Sequence, residues 1–422
     1  MSVMNIGIVT TWFERGAAYV SKQYKDSLEE RGHKLFIYSR GGEISVEEKG
    51  KKWRGEEIHE GKKVPFPEST YIDLDDFLAW IDGNNIEVVL FNEQRWLPPV
   101  LLCKQLGVRC GSYVDYYTKK TVESFGIYDF LICNTKRHNS VFKWHKQCFY
   151  IPWGTDTSLF TGEFRKPSDV LRFFTSVGMS PDRKGLDLTV KAFIDLINGK
   201  IIDVELIIHS QLDVSEFLRE RLSLIDYELY QRLVEGHKIR LISETVTAPG
   251  LYYLGDVYVY PSRLDGIGLT IAEALSSGMP VIVPNEPPMN EYLCQYSTAV
   301  SVERRFARHD AYYWESNEAS VKSICDAFLS YYERREDILD IQYATRKNAV
   351  ETLSWKSRTS AIESAFSDSE VMWLGKKNFH KYNNAFNPQF PLISQLQHVY
   401  KLVWGFAKSD FFKAFKKRLV SR

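Results

Sequence analysis

Between residues 256 and 284 the chain reads DVYVYPSRLDGIGLTIAEALSSGMPVIVP, and this stretch constrains the fold more than any other. An apolar strand is predicted over 257–260, followed by a loop with Gly266 and Gly268 and then a short helix. Gly278 and Pro280 end that helix, and a second strand is expected over 281–283. Glycines ahead of a helix start let the backbone approach a ligand closely, and the free N–H groups there favour an anion. Two carboxylates frame the loop: Asp265 just before it and Glu273 about one turn into the helix. Bare N–H groups suit phosphate and carboxylates suit sugar hydroxyls, so together they point to a nucleotide sugar. The alternative is an ordinary strand-to-helix turn with two solvated acids.

The same alternation runs through most of the chain. A strand over 5–11 leads through a loop into a helix over 17–31, whose Ala17, Val20, Tyr24 and Leu28 share one face. Gly32 stops that helix and the next strand begins at Lys34, completing a βαβ unit. Its loop holds the single glycine Gly16 and is not GxGxxG, so no nicotinamide or flavin cofactor is indicated. Further strands are expected over 87–91, 110–114 and 130–134, and a linker rich in Pro, Gly, Ser and Thr over 150–170. A second series follows: strand 171–177, helix 185–198, strand 204–209, one long helix over 213–235 and strand 239–242. The fold class is therefore α/β, with two doubly wound parallel sheets facing a cleft. Ligands in such sheets bind at the carboxyl ends of the strands, so both ligand edges should meet in that cleft.

The loop at 265–273 resembles the C-terminal signature of the retaining nucleotide-sugar glycosyltransferases of family 4. In that signature two acids, usually both Glu, enclose a Gly-aromatic-Gly-Leu turn. Here Asp265 takes the first position and Ile267 replaces the aromatic residue. Three more segments are similar to that family in the same order: IPWGTDTSLF at the linker, SVGMSPDRKGLDLTVKAF after it, and LSWKSRTSAIESAF at 353–366. The likeness is good from about 150 to 366, poorer over 1–150, and absent from 372 onward. It implies the GT-B architecture: a Rossmann-like acceptor-side domain over 1–160, a Rossmann-like nucleotide-sugar domain over 161–350, a closing helix over 351–370 and an extension over 371–422.

The resemblance also implies roles. Lys184 matches the lysine that stabilises the leaving diphosphate, without a bound metal or other cofactor. No Asp-x-Asp metal site follows a strand, which agrees with that. The arginine expected five residues before the lysine is missing, since Met179 stands there; Arg183 and Arg263 are the candidates to replace it. Gly266, Ile267, Gly268, Leu269 and Thr270 should offer N–H groups to the sugar and phosphates, Glu273 should bind the ribose diol, and Asp265 a donor-sugar hydroxyl. The segment 243–247 is placed to meet the base. On the acceptor side Gly16 falls in the flexible loop, where Arg15 can meet an anionic group. Asp115 stands nearest the position where a His is common, either as an acceptor base or as an Asp fixing the strand-end loop. The expected activity is transfer of a hexosyl-type sugar from a nucleoside-diphosphate sugar to a glycan or lipid-linked hydroxyl acceptor, in surface-glycan or polysaccharide synthesis. An inactive nucleotide- or glycan-binding relative, or a nucleotide-sugar epimerase, is the alternative.

The 54 basic and 54 acidic residues balance, which gives no overall case for nucleic acid as a partner. That balance conceals an asymmetry: residues 372–422 carry ten Lys/Arg against the single acid Asp410, so they are +9 and the remainder −9. Within 391–422, Ile393, Leu396, Tyr400, Val403 and Trp404 share one helical face, and Phe411, Phe412, Phe415 and Leu419 form a second stripe. Aromatic stripes beside lysines suit an anionic membrane surface; packing on the protein itself or on another subunit is the alternative. The six cysteines are scattered and read as free thiols of a reducing compartment. With no signal peptide and no apolar run of spanning length, a cytoplasmic location is expected, peripheral at the inner membrane face if the extension binds lipid.

Overall fold

The computed structural model describes residues 2–42, 49–65, 70–163, 165–201 and 203–373. The first domain runs β1 (Asn5–Thr10), α1 (Gly16–Glu30), β2 (Lys34–Ser39), β3 (Ile58–Glu60), α2 (Leu74–Gly83), β4 (Val88–Asn92) and α3 (Pro98–Leu106). It continues with β5 (Arg109–Tyr113), β6 (Phe130–Cys133), α4 (Lys136–Phe142) and β7 (Cys148–Tyr150). Its seven strands lie in the order β3-β2-β1-β4-β5-β6-β7, all parallel.

The second domain runs β8 (Leu171–Gly178), α5 (Leu186–Asn198), β9 (Val204–Ser210), α6 (Ser215–Arg221), α7 (Leu224–Glu235), β10 (Ile239–Ser243) and β11 (Val257–Val259). There follow α8 (Leu269–Ser276), β12 (Val281–Pro284), β13 (Thr298–Val300), the hairpin β14 (Val302–Phe306) and β15 (Ser316–Ala319), and α9 (Val321–Glu333). The helices α10 (Ile338–Leu353) and α11 (Thr359–Ser367) close the described chain. Its six-stranded sheet, β10-β9-β8-β11-β12-β13, is again parallel. Two Rossmann-like sheets of this order are the GT-B arrangement.

Central strands such as β4 and β12 are buried at every residue, because helices cover both sheet faces. The predicted strands and the helices at 17–31 and 185–198 appear within a residue or so of their expected bounds. Elsewhere the structure departs from expectation. The long helix over 213–235 is broken, since Ser223 caps α7 by accepting the N–H of Asp226 at 3.1 Å. Trp355 opens a single 3-10 turn, and α11 starts only at Thr359. That helix returns to the first domain, where Glu363 pairs with Arg31 at 2.6 Å and Phe366 meets Phe130 at 5.3 Å between ring centres. Backbone groups as far as Met372 are held there too, by Lys104, Arg109, Asp129 and Gln147. The basic extension at 391–422 lies outside the described residues. Among the described residues no helix is long and apolar enough to cross a membrane.

Candidate functional site

Both sheets change winding direction at one strand pair, β1/β4 in the first and β8/β11 in the second, and a crevice opens at the carboxyl ends there. At the second switch point the loops after β8 and β11 become neighbours. One brings Arg183 and Lys184, the other Asp265 to Gly268. Gly185, just after the lysine, has φ +70°, and a Cβ on it would stand 2.3 Å from the Pro261 carbonyl oxygen. Only glycine fits, so the Lys-Gly pair locks the two loops together.

Lys184 donates to Asp265 Oδ2 at 2.9 Å and to the Tyr260 hydroxyl, and it lies 4.3 Å from the centre of the Tyr260 ring. Burial pulls its ammonium down to about 8, with Asp265 opposing and Arg183 adding to the shift. Burial alone would raise the Asp265 carboxyl, but the charges of Lys184 and Arg183 outweigh it and hold the group well below the usual range. Its Oδ2 also accepts from the Tyr260 hydroxyl, while Oδ1 takes the N–H groups of Gly268 at 3.0 Å and Ile267 at 3.3 Å. Two N–H groups expected to face a ligand are thus held by the loop's own acid. Those of Leu269 and Thr270 begin α8, where no intrahelical acceptor exists for them.

The two candidates for the missing cation separate clearly. Met179 is 68% exposed at the end of β8. Arg183 stands beside the site, 3.0 Å from the Leu264 carbonyl and 3.4 Å from Asp265. Arg263 is buried and committed, with both nitrogens on Asp187 at 2.8 Å and a further contact to Glu318. It is neither a surface arginine nor free for a diphosphate.

Thr270 and Glu273 line a cavity of about 370 Å³ that reaches from the first turns of α8 to the first domain and the linker. Val246 and Thr247 form part of its wall, as does His209. Burial raises the Glu273 carboxyl, opposed by the Tyr252 hydroxyl, which donates to Oε2 at 2.5 Å, and by Lys184. Ile267, expected in a ligand-facing turn, is only 7% exposed and packs with Trp12 and Trp355 in an apolar cluster shared by both domains.

Across the cleft, Gly16 starts α1 with open space toward Leu269, whose Cδ1 is 3.9 Å from where a Cβ would stand. Arg15 lies 3.8 Å from Glu93, a residue held at φ +54° just beyond β4. Asp115 follows β5 on the same edge. Burial, then the Glu93 charge, push its carboxyl up to about 7 against the Tyr116 N–H and Arg95. Its backbone carbonyl accepts from Tyr312 at 3.2 Å, on the connection of the β14–β15 hairpin. The structure therefore gathers Arg183, Lys184, Asp265, the 266–270 loop and Glu273, and sets Gly16 and Asp115 opposite them. Sequence reasoning passed over Tyr252 and Tyr260, tyrosines in apolar surroundings that carry no motif signal.

Residues 171–308 match the model of the family described as glycosyl transferases group 1. No curated protein gives a significant match. Among solved structures, a glycosyltransferase from Rickettsia africae superposes with a TM-score of 0.66 at 15% identity, covering 87% of this chain and 100% of that one. HepE of Anabaena, solved with UDP and glucose, gives 0.64 at 12% identity over 86% and 100%. Sucrose-phosphate synthase of Thermosynechococcus elongatus gives 0.62 at 14% identity over 86% and 98%. At such identities these likenesses show the GT-B fold. The family match over the second domain supports glycosyl transfer as the activity.

Proposed function

We propose that the protein is a retaining glycosyltransferase that moves a sugar from a nucleoside-diphosphate donor to a hydroxyl of a glycan or lipid-linked acceptor. The observation that carries this reading is the convergence of Lys184, Arg183, Asp265 and the start of α8 beside a cavity edged by Glu273. Such an arrangement can bind a ribose diol with Glu273 and neutralise a departing diphosphate with Lys184, Arg183 and the helix N–H groups, without a metal. Asp265 is the acid nearest those cations and would meet the donor sugar once a diphosphate competes for Lys184.

In a retaining reaction the departing phosphate takes the acceptor proton on the face it leaves. Asp115, with its carboxyl near neutrality, would orient the acceptor hydroxyl from the opposite domain. The wider setting we propose is surface-glycan or polysaccharide synthesis at the inner face of a membrane, with the basic extension on anionic lipid. The test of the activity is release of free UDP or GDP from UDP- or GDP-sugars in the presence of candidate acceptors. Release that depends on acceptor, with the anomeric configuration kept in the product, is expected. Binding of nucleotide without any release would instead make the chain a binding relative.

A further inference from the structure

The donor loop is gripped from the other domain. Helix α4 of the first domain docks against the second by its start, where the Glu291 carboxylate accepts the N–H groups of Lys136 at 2.6 Å and Arg137 at 3.0 Å. The side chains that follow reach the loop itself. Arg137 donates to the Asp265 carbonyl and, at 2.6 Å, to the Pro287 carbonyl. His138 bonds the Gly266 carbonyl through Nε2 at 3.1 Å.

Two consecutive peptide planes of the donor loop are therefore fixed by first-domain residues. In a trans peptide the N–H points opposite to the C=O. Holding the Asp265 carbonyl aims the Gly266 N–H, and holding the Gly266 carbonyl aims the Ile267 N–H. The latter is the group that donates to Asp265 Oδ1, whose partner oxygen receives Lys184.

The polarity of this network has one solution. Trp314, on the β14–β15 connection, can only donate, and it does so to the Tyr117 hydroxyl at 2.8 Å. The Gly266 carbonyl can only accept, so His138 Nε2 carries the imidazole proton; in the neutral ring Nδ1 is then an acceptor, and Tyr117 gives its own proton to it at 2.9 Å. Burial, reinforced by Arg137, keeps that imidazole neutral, with its proton affinity lowered to about 3. Arg137 is buried, its side chain donates among the described residues to carbonyl oxygens alone, and it lies 5.0 Å over the Trp314 ring. Among the described residues its Nε has no hydrogen-bond partner, a cost borne to keep the guanidinium at this place.

We infer that Arg137 and His138 are positioning residues which couple the approach of the two domains to the geometry of the donor loop. The inference rests on the nucleotide-sugar reading above. When the domains part, both carbonyls lose their donors and the 265–267 peptides are free to turn. When they meet, the chain from Trp314 through Tyr117 and His138 sets the loop, Asp265 and Lys184 together. Glu273, Thr270 and the 246–247 wall belong to the second domain alone, so nucleotide can bind before the loop is set.

The test uses the full chain and its His138→Phe, His138→Gln and Arg137→Gln variants. Calorimetry with UDP and GDP reads binding, and release of nucleoside diphosphate from UDP-glucose and GDP-mannose reads turnover. His138→Phe and Arg137→Gln should each lower kcat by about tenfold or more, because a loop displaced by an ångström misplaces the reacting groups. Nucleotide Kd should stay within about threefold, since uniform binding is untouched. His138→Gln keeps a donor for Gly266 and an acceptor for Tyr117, so it should recover most of the loss, which also shows that the fold is intact. Unchanged kcat in both disruptive variants, equal losses of binding and turnover, or a Gln variant as slow as the Phe one would overturn the inference. A wild-type chain that neither binds these nucleotides nor releases them fails differently: it sinks the nucleotide-sugar reading and takes this inference with it.

Discussion

The carboxyl edges of the two sheets are alike in topology and opposite in how they assemble their chemistry. On the second sheet the working groups sit in two loops of adjacent strands, β8 and β11, each a short segment with its own glycine. On the first sheet they come singly from loops after β1, β4 and β5 and from the start of α4. A local cluster of cations, N–H groups and acids can hold a diphosphate by itself. A dispersed set must be brought to its target by the whole fold. The difference suggests that the second domain supplies affinity and the first supplies geometry, and the variants below test that division.

The largest effect should come from Lys184. Removing one donor to a developing oxyanion costs roughly two to three orders of magnitude, so Lys184→Ala should lower kcat by about a hundredfold or more with the fold retained. Turnover near the wild-type rate would show that the second domain's cluster is not the leaving-group site.

The first domain is tested by pH. In the proposed reaction Asp115 would act as the carboxylate, present above about 7, and Lys184 as the ammonium, present below about 8. A bell-shaped kcat/KM with limbs near those values is expected, since this parameter reports the free enzyme. Asp115→Asn should lower kcat/KM by up to about a hundredfold and abolish the acidic limb, leaving the basic one. An acidic limb that persists in the Asn variant would assign Asp115 to fixing its loop instead.

A smaller loss is expected from Glu273→Gln. Hydrogen bonds to a charged group are worth about 1.5–3 kcal/mol, and half of the acceptor capacity becomes a donor, so UDP or GDP affinity should fall by about tenfold. Calorimetry with unchanged affinity would remove Glu273 from the ribose site and undo the assignment of affinity to the second domain.

How much of this was readable follows the same division. The alternation of apolar strands and amphipathic helices announced both sheets, because burial on two faces leaves continuous runs such as VVLF and VIV. The edge strands β3 and β7 are three residues each, too short for any run to mark them. The site in the second domain was legible as a segment, and Lys184, Arg183, Asp265 and Glu273 do meet there. At Ile267 the expectation concerned the backbone N–H, which Asp265 Oδ1 holds at 3.3 Å; that its side chain joins an apolar cluster with the first domain is a contact no local spacing marks. Arg137 and His138 were invisible for a stronger reason. Their partners are backbone carbonyls, which every residue carries, so no spacing in the sequence can point to them.

The last test should leave the cleft untouched. Residues 391–422 combine Trp, Phe and Leu stripes with a Lys/Arg excess, and each basic residue near an anionic surface contributes about 1 kcal/mol that salt screens. Where the chain is cut matters. Lys104 and Asp129 hold Met372, and Gln147 holds Glu370, so a cut near 370 would strip contacts from the back of the first domain. Arg109, which opens β5, binds Phe366 and Ser369 there, at the sheet end opposite the cleft. Truncation after Trp373 spares all of these. The shortened chain should keep its UDP or GDP affinity and thermal stability yet no longer float with anionic liposomes, while the full chain floats at low salt and is released as salt rises. Full-length protein that never floats, paired with a truncated form that melts earlier or changes oligomeric state, would make the extension a packing element. The division between the two carboxyl edges would stand in either case.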